Sequence, residues 1–262
     1  MIDFINAATY EDICNYSIMP AEDKRFVTEI LYKNNIIFCK TDFIDYLFQF
    51  LKSSIHKYIL ITHHSDYPID FNRFSKKPDC IKKWFAINAT YSHKDLVPIP
   101  LGLKTHRGIY LEKNIKTEWL GNNANLLNKR NKDPKIVYCN WGDTNPDRNK
   151  ILQQLNVKYF HETNIPFMDY CMHMATYQFV ISPPGNGLDN HRTWEAMYCG
   201  CYPIVIKNKI YDAFDGLPIL QVNDYSDVSE ELLDRFSHKT FNYEKLYMEY
   251  WKNLILNEFK KF

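Results

Sequence analysis

The sequence predicts an α/β protein built from two halves, each with a parallel sheet. Three observations predict it. Short apolar runs alternate with helically spaced segments along most of the 262 residues. The connections between them are short, as parallel crossovers require. A polar, basic, asparagine-rich stretch at 121–134 (GNNANLLNKRNKDP) ends in proline and divides the chain into parts of similar size. Domains of 1–125 and 126–262 are therefore expected, each Rossmann-like, facing one another across a cleft.

In the first half, 35–40 (NIIFCK) and 58–62 (YILIT) are apolar runs of strand length. Between them Phe43, Leu47 and Leu51 recur at intervals of four, which predicts a helix over 42–53 capped by Thr41 or Asp42. Residues 84–89 and 97–103 read as two further strands. In the second half, 135–140 is a strand, and 146–155 is a helix with proline in its first turn. Strands at 157–161, 178–182, 202–207 and 218–222 and helices at 167–177 and 191–199 complete the alternation. The amphipathic segment 243–259 is expected to be a closing helix that packs back across the joint.

Composition bounds the function. Hydrophobic residues at 45% and charged residues at 24% describe a globular chain. A formal net charge of +1 gives no reason to expect a nucleic-acid or anionic-membrane partner. No apolar run has the length of a membrane span, and the first residues lack a signal peptide's basic and apolar regions. Seven cysteines, an odd number with no Cys-x-x-Cys pair, suggest reduced thiols and a cytoplasmic setting. The sequons at Asn15 and Asn88 are then incidental.

The segment 181–205 (ISPPGNGLDNHRTWEAMYCGCYPIV) carries the chemistry. A strand ends near Ser182, a loop with two prolines and two glycines follows, and a helix starts near Asn190. Ligands of open parallel sheets bind beyond the C-terminal strand ends. The next helix presents unpaired N–H groups and positive potential there. Gly185 and Gly187, flanking Asn186, are expected to let the backbone bend towards a ligand. His191 and Arg192 fall in the first helical turn, where a permanent cation suits a diphosphate. Glu195, three residues on, shares that face and has the chemistry to accept both ribose hydroxyls of a nucleotide. The plainer alternative is a capped helix start with Arg192 and Glu195 paired to each other.

As a whole the string resembles the donor-site motif of exostosin-like glycosyltransferases, including the ribitol-xylosyltransferase-like branch. The matching residues are Pro183, Pro184 and Gly185, then Arg192, Glu195-Ala196, and Gly200-Cys201 with Pro203. The likeness is tight over 181–205, loose through 135–141, 162–170 and 177–182, and faint in the first half. It implies a GT-B fold, an inverting mechanism and a nucleotide-diphosphate sugar donor, commonly a UDP-sugar, with UDP-xylose one candidate. It also implies that Arg192 binds the diphosphate and Glu195 the ribose.

A second donor-side candidate is the stretch 140–148 (NWGDTNPDR), in which Asn140, backbone donors and Arg148 would reach the phosphates. The alternative there is a capped loop with Arg148 solvated. The loop 162–166 also follows a strand and is expected near the base. An inverting transfer needs a base for the acceptor hydroxyl. The loop after residues 58–62 offers Asp66 first and His64 or His63 second, with His93 and Thr105-His106-Arg107 further along. No Asp-x-Asp occurs, so no essential metal or other cofactor is expected, and charge on the leaving diphosphate falls to Arg192 and its surroundings. The position eight beyond Glu195, where retaining enzymes often carry a second glutamate, is Pro203. The partners expected are a nucleotide-diphosphate sugar and a glycan or other hydroxyl acceptor. The competing functions are a non-catalytic nucleotide- or glycan-binding module that keeps the donor pocket, and a sugar-nucleotide epimerase.

Overall fold

The computed structural model describes residues 4–19, 32–104, 133–142 and 145–262. It is an α/β protein with two five-stranded sheets, and every strand pairing within them is parallel. The chain forms two compact units, Met1–Leu101 with Glu244–Phe262, and Gly102–Tyr243. The expected boundary at 125/126 and the tripeptide Thr105-His106-Arg107 lie outside the described residues.

The first unit opens with α1 (Ala7–Glu11), capped by Asn6 and Thr9 in a reciprocal capping box. It continues with β1 (Tyr16–Ile18), β2 (Asn35–Lys40), α2 (Ile44–Leu51), β3 (Tyr58–His63), α3 (Phe71–Phe74), β4 (Ile81–Ala86) and β5 (Leu96–Pro98). The strands lie in sequence order, β1-β2-β3-β4-β5. All six residues of β3 are buried, because helices cover both faces of a parallel sheet and an apolar run is what such a strand needs. One face packs Leu60, Trp84 and Ala86 against Leu47, Phe48 and Phe74 from α2 and α3. The helix Met248–Phe259 lies on β3, with Trp251 and Ile255 buried and Glu258 3.9 Å from Lys83. The closing segment, expected with the second half, therefore belongs to the first unit. The cap expected at Thr41 or Asp42 is replaced by a 3-10 turn (Thr41–Phe43), and α2 starts with no side-chain cap.

The second unit contains β6 (Asp133–Cys139), a 3-10 turn (Pro146–Lys150) running into α4 (Ile151–Gln154), β7 (Lys158–His161), α5 (Phe167–Met174) and β8 (Tyr177–Ile181). After these come α6 (His191–Tyr198), β9 (Tyr202–Ile206), β10 (Leu220–Val222) and α7 (Glu230–Ser237). Residues alternate across the sheet as a strand period of two demands. Val137, Cys139, Phe179, Ile181 and Ile204 pack with Ile151, Leu233 and Phe236 of α4 and α7. On the opposite side Tyr138 meets Tyr170 of α5, with ring centroids 6.1 Å apart. Burial of each such apolar side chain stabilises by roughly 1.5–3 kcal/mol. Helix α7 was not expected from periodicity, although Ser229 caps it and Leu233 and Phe236 mark its apolar side.

The two sheets differ in one respect that bears on function. The second has the order β10-β9-β8-β6-β7. Counted from β6, this is the doubly wound order 2-1-3-4-5, in which the chain reverses direction between β6 and β8. A crevice opens at such a switch point, between the loop that follows each of the two strands. The first sheet has no reversal, so the second unit is where the topology itself provides a binding crevice.

Candidate functional site at the β6/β8 switch point

The loop after β8 and the start of α6 are held by a dense hydrogen-bond lattice. Asn190 is the N-cap of α6, as the sequence suggests; its side chain accepts from Thr193 N. Ser182 Oγ donates to Asn190 Oδ1 at 3.0 Å and shares a 2.9 Å bond with Thr193 Oγ1. Asn190 Nδ2 reaches back to Pro183 O at 3.2 Å. Asp189 is buried, accepting from Trp194 Nε1 at 2.8 Å and from Asn190 N. Asn190, which the sequence offers as a donor-binding residue, has its side chain committed to Thr193, Ser182 and Pro183 and so builds the loop. At the far end of α6, Gly200 takes φ +69°, which explains the glycine of the Gly200-Cys201 pair as a helix stop.

Arg148 is neither solvated nor directed to phosphates. It is 6% exposed. Its Nε donates to Pro184 O at 3.0 Å, Nη1 to Gly142 O at 2.9 Å and Nη2 to Pro183 O at 3.2 Å. One guanidinium therefore ties the loop after β6 to the loop after β8, across the switch point. Asn145 adds a fourth tie, donating from Nδ2 to Gly185 O at 3.1 Å. Neither Gly185 nor Gly187 has positive φ, so the bend expected of them uses backbone angles open to other residues. A Cβ at Gly185 would meet only Arg148 Nη2, at 3.4 Å, an ordinary van der Waals contact. Asn186 is exposed at the loop tip and Gly187 is buried.

Arg192 is half-buried in the first turn of α6, and its Nε is buried with no hydrogen-bond partner. Among the described residues no carboxylate pairs with its guanidinium, so the Arg192–Glu195 ion pair of the plainer alternative is absent. Its charge is felt nearby: burial and then Arg192 pull Arg148 below the ordinary guanidinium value. Burial raises the Tyr225 and Tyr170 phenols, while Arg192 acts to lower both. Two guanidiniums thus sit close enough to repel, with the Nε of one unsatisfied, which is a costly arrangement unless an anion completes it.

Glu195 differs from the expectation of an open ribose acceptor. It is 3% exposed, and its Oε2 accepts from the Tyr170 hydroxyl at 3.2 Å. The α5 helix covers that side of α6, so a residue on the Arg192 face in sequence lies under tertiary cover. His191 Nδ1 donates to Gly102 O at 2.7 Å, which fixes its ring. Asn140 Nδ2 donates to the Tyr138 hydroxyl at 3.3 Å. That hydroxyl donates to Glu162 Oε1 at 2.7 Å, and His173 Nδ1 donates to the same carboxylate at 2.9 Å. Asn140 and Glu162 therefore belong to one network, and the carboxylate in the loop 162–166 is already engaged. A cavity of about 320 Å³ also opens in this unit, lined by Asn145, Arg148, Pro183, Pro184 and Tyr225 among others; Arg192 and Glu195 are not in its lining.

In the first unit the candidate bases differ: His63 ends β3, His64 and Asp66 lie in the loop after it, and His93 lies between β4 and β5. His63 is buried, with Nε2 donating to Leu101 O at 3.1 Å and Nδ1 accepting from His64 N at 2.9 Å. Both ring nitrogens are engaged in the neutral form, so His63 is removed as a base. His64 is open to solvent at φ +58°, its ring packed on Phe38 and His63. Partial burial of the ring lowers its pKa, against the pull of Glu11. Asp66 is exposed. His93 Nδ1 accepts from Asp95 N at 3.0 Å, a turn-stabilising contact.

No protein-family model and no curated protein matches this sequence. Among the described residues no cluster of three or more His, Cys, Asp or Glu side chains is placed to hold a metal, and no helix is long and apolar enough to cross a membrane. Sequence reasoning missed Tyr170, Asn145 and Tyr225. Asn145 had a signal in its Asn-Pro step, where it caps the Pro146–Lys150 turn. Tyr170 and Tyr225 had none, since only folding brings α5 against α6 and the β10 loop beside Arg148.

Proposed function

We propose that the chain is an inverting glycosyltransferase that moves a sugar from a nucleotide-diphosphate donor, of which a UDP-sugar is the first to test, to a hydroxyl acceptor. The observation that carries this reading is the Arg192 guanidinium, with a buried unpartnered Nε at a helix start beside the switch point. The resemblance of residues 181–205 supplies the reaction class, and the proposal includes the GT-B architecture it implies.

In this reaction the acceptor oxygen forms a bond to the anomeric carbon as the bond from that carbon to the β-phosphate oxygen breaks. The electron pair leaves with the diphosphate, and the acceptor proton goes to a base, for which Asp66 and His64 remain. Negative charge grows on the diphosphate in the transition state, so a cation fixed there stabilises it more than the ground state. In this reading Arg192 is the cation that meets the charge, and Arg148 holds the loop that precedes it. Glu195 acts through Tyr170, keeping α5 against α6.

Thermal-shift titration with UDP, other nucleoside diphosphates and UDP-sugars tests binding, since a ligand of the native state raises the melting temperature. Slow hydrolysis of a bound sugar nucleotide then separates a transferase from a binding module. Stabilisation without hydrolysis or transfer to any hydroxyl acceptor would favour the binding module. An absence of stabilisation by every nucleotide would refute both.

A further inference from the structure

Tyr225 is 3% exposed, and its hydroxyl is buried without a hydrogen-bond partner. A phenol so placed forgoes a bond it would make to water in the unfolded chain, so a fold does not gain by burying it bare. Two arginines and the neighbouring Asp224 act on it. Arg148 is the first charge acting on it and Arg192 the second, both favouring negative charge there, while burial outweighs them and keeps the phenol protonated. Tyr225 therefore remains an O–H donor at neutral pH.

Its position is fixed from two sides. The residue follows β10 at the C-terminal edge of the sheet, at the start of a 3-10 turn (Tyr225–Asp227) capped by Asp224. It lines the cavity whose charged residues are Arg148, Lys150, Asp147 and Asp224, with Pro183 and Pro184 beside them. Arg148 bonds to both proline carbonyls, and Pro183 O in turn binds the cap of the helix that carries Arg192. Two polar atoms of this unit, Arg192 Nε and Tyr225 Oη, are buried without partners, and the Pro183–Pro184 stretch is tied both to the cap of the Arg192 helix and to the Arg148 side chain beside Tyr225. Both are donors, and neither has an acceptor.

We propose that Tyr225 is a binding residue of the anion site at the switch point, its hydroxyl donating to a phosphate oxygen of the group held by Arg192. The proposal rests on the donor-site reading above and adds a neutral donor on the β10 side. A neutral donor contributes a hydrogen bond without adding a third positive charge to the two guanidiniums.

Tyr225→Phe removes the one oxygen and keeps the ring. Inorganic pyrophosphate and UDP serve as probes, with affinity read from thermal shift and from titration calorimetry on the full chain. The free variant should melt at or slightly above the wild-type temperature, because the hydroxyl it loses has no partner. Its affinity for both probes should fall by about tenfold to a hundredfold, the effect of one hydrogen bond to a charged acceptor. Arg192→Ala is the companion variant. If it abolishes binding while Tyr225→Phe binds like wild type, the Tyr225 assignment is wrong and the donor site stands. If wild type binds neither probe, both fall. If Tyr225→Phe melts well below wild type, the hydroxyl is a structural donor and the proposal is overturned.

Discussion

Arg148→Ala should cost the second unit far more stability than Arg192→Ala, although both remove an arginine from the same crevice. Arg148 makes three charged hydrogen bonds to the carbonyls of Gly142, Pro183 and Pro184. Bonds of that type contribute roughly 1.5–3 kcal/mol each when counted singly. They do not add, because water enters the space the side chain leaves and Pro183 O keeps its bond from Asn190 Nδ2. A net loss of about 3–5 kcal/mol is expected, the usual range for breaking a buried charged cluster. At roughly 3 °C per kcal/mol for a unit of this size, that lowers the melting temperature by about 10–15 °C. Arg148→Lys keeps the charge but only part of the fork and should lose about half as much. Arg192→Ala removes a guanidinium whose Nε has no partner and should cost less than about 1 kcal/mol. The assay is calorimetric unfolding of each variant, with amide hydrogen exchange over 183–190 to localise the change. A loss below about 1 kcal/mol for Arg148→Ala would refute the stapling argument, as would equal losses for both arginines.

Other outcomes follow from the same geometry. In a transfer assay Arg192→Ala should lower turnover by about a hundredfold, the effect of losing one preorganised contact to developing charge, and unchanged turnover would remove Arg192 from the mechanism. Glu195→Ala strands the buried Tyr170 hydroxyl and should destabilise by about 2–3 kcal/mol, whereas Glu195→Gln keeps an acceptor oxygen and should lose less than half of that in denaturant titration. Transfer should persist in excess chelator, because the proposed charge stabilisation comes from arginine; complete loss restored by a divalent ion would contradict it. The lowered pKa of His64 means that the unfolded chain binds its proton more readily than the folded one. Its contribution to stability is full above the ordinary histidine value of 6.5 and is lost as pH falls through the lowered value. His64→Gln should therefore flatten the acid side of the stability–pH curve, measured by denaturant midpoints.

The sequence by itself determined the fold class and the place along the chain of several strands and helices in both units. Residues 35–40, 191–198 and 202–206 are found within a residue or two of where apolar runs, caps and glycines put them. These signals are local: Asn190 caps α6 through bonds to nearby residues, and Gly200 ends it through its own backbone angle. The sequence also placed a cation at the start of α6, because three residues of spacing fix a helix face. Only the tertiary structure decided what each polar side chain meets. It turned Arg148 from a phosphate ligand into a staple, covered Glu195 with Tyr170, occupied both nitrogens of His63, and returned the last helix to the first unit. Each outcome depends on a partner far away in the chain, 35 residues from Arg148 to Pro183 and 38 from His63 to Leu101. Hydrogen-bond satisfaction is settled in space, so spacing along the sequence shows which groups can bind a ligand, and packing decides which are left free to do so.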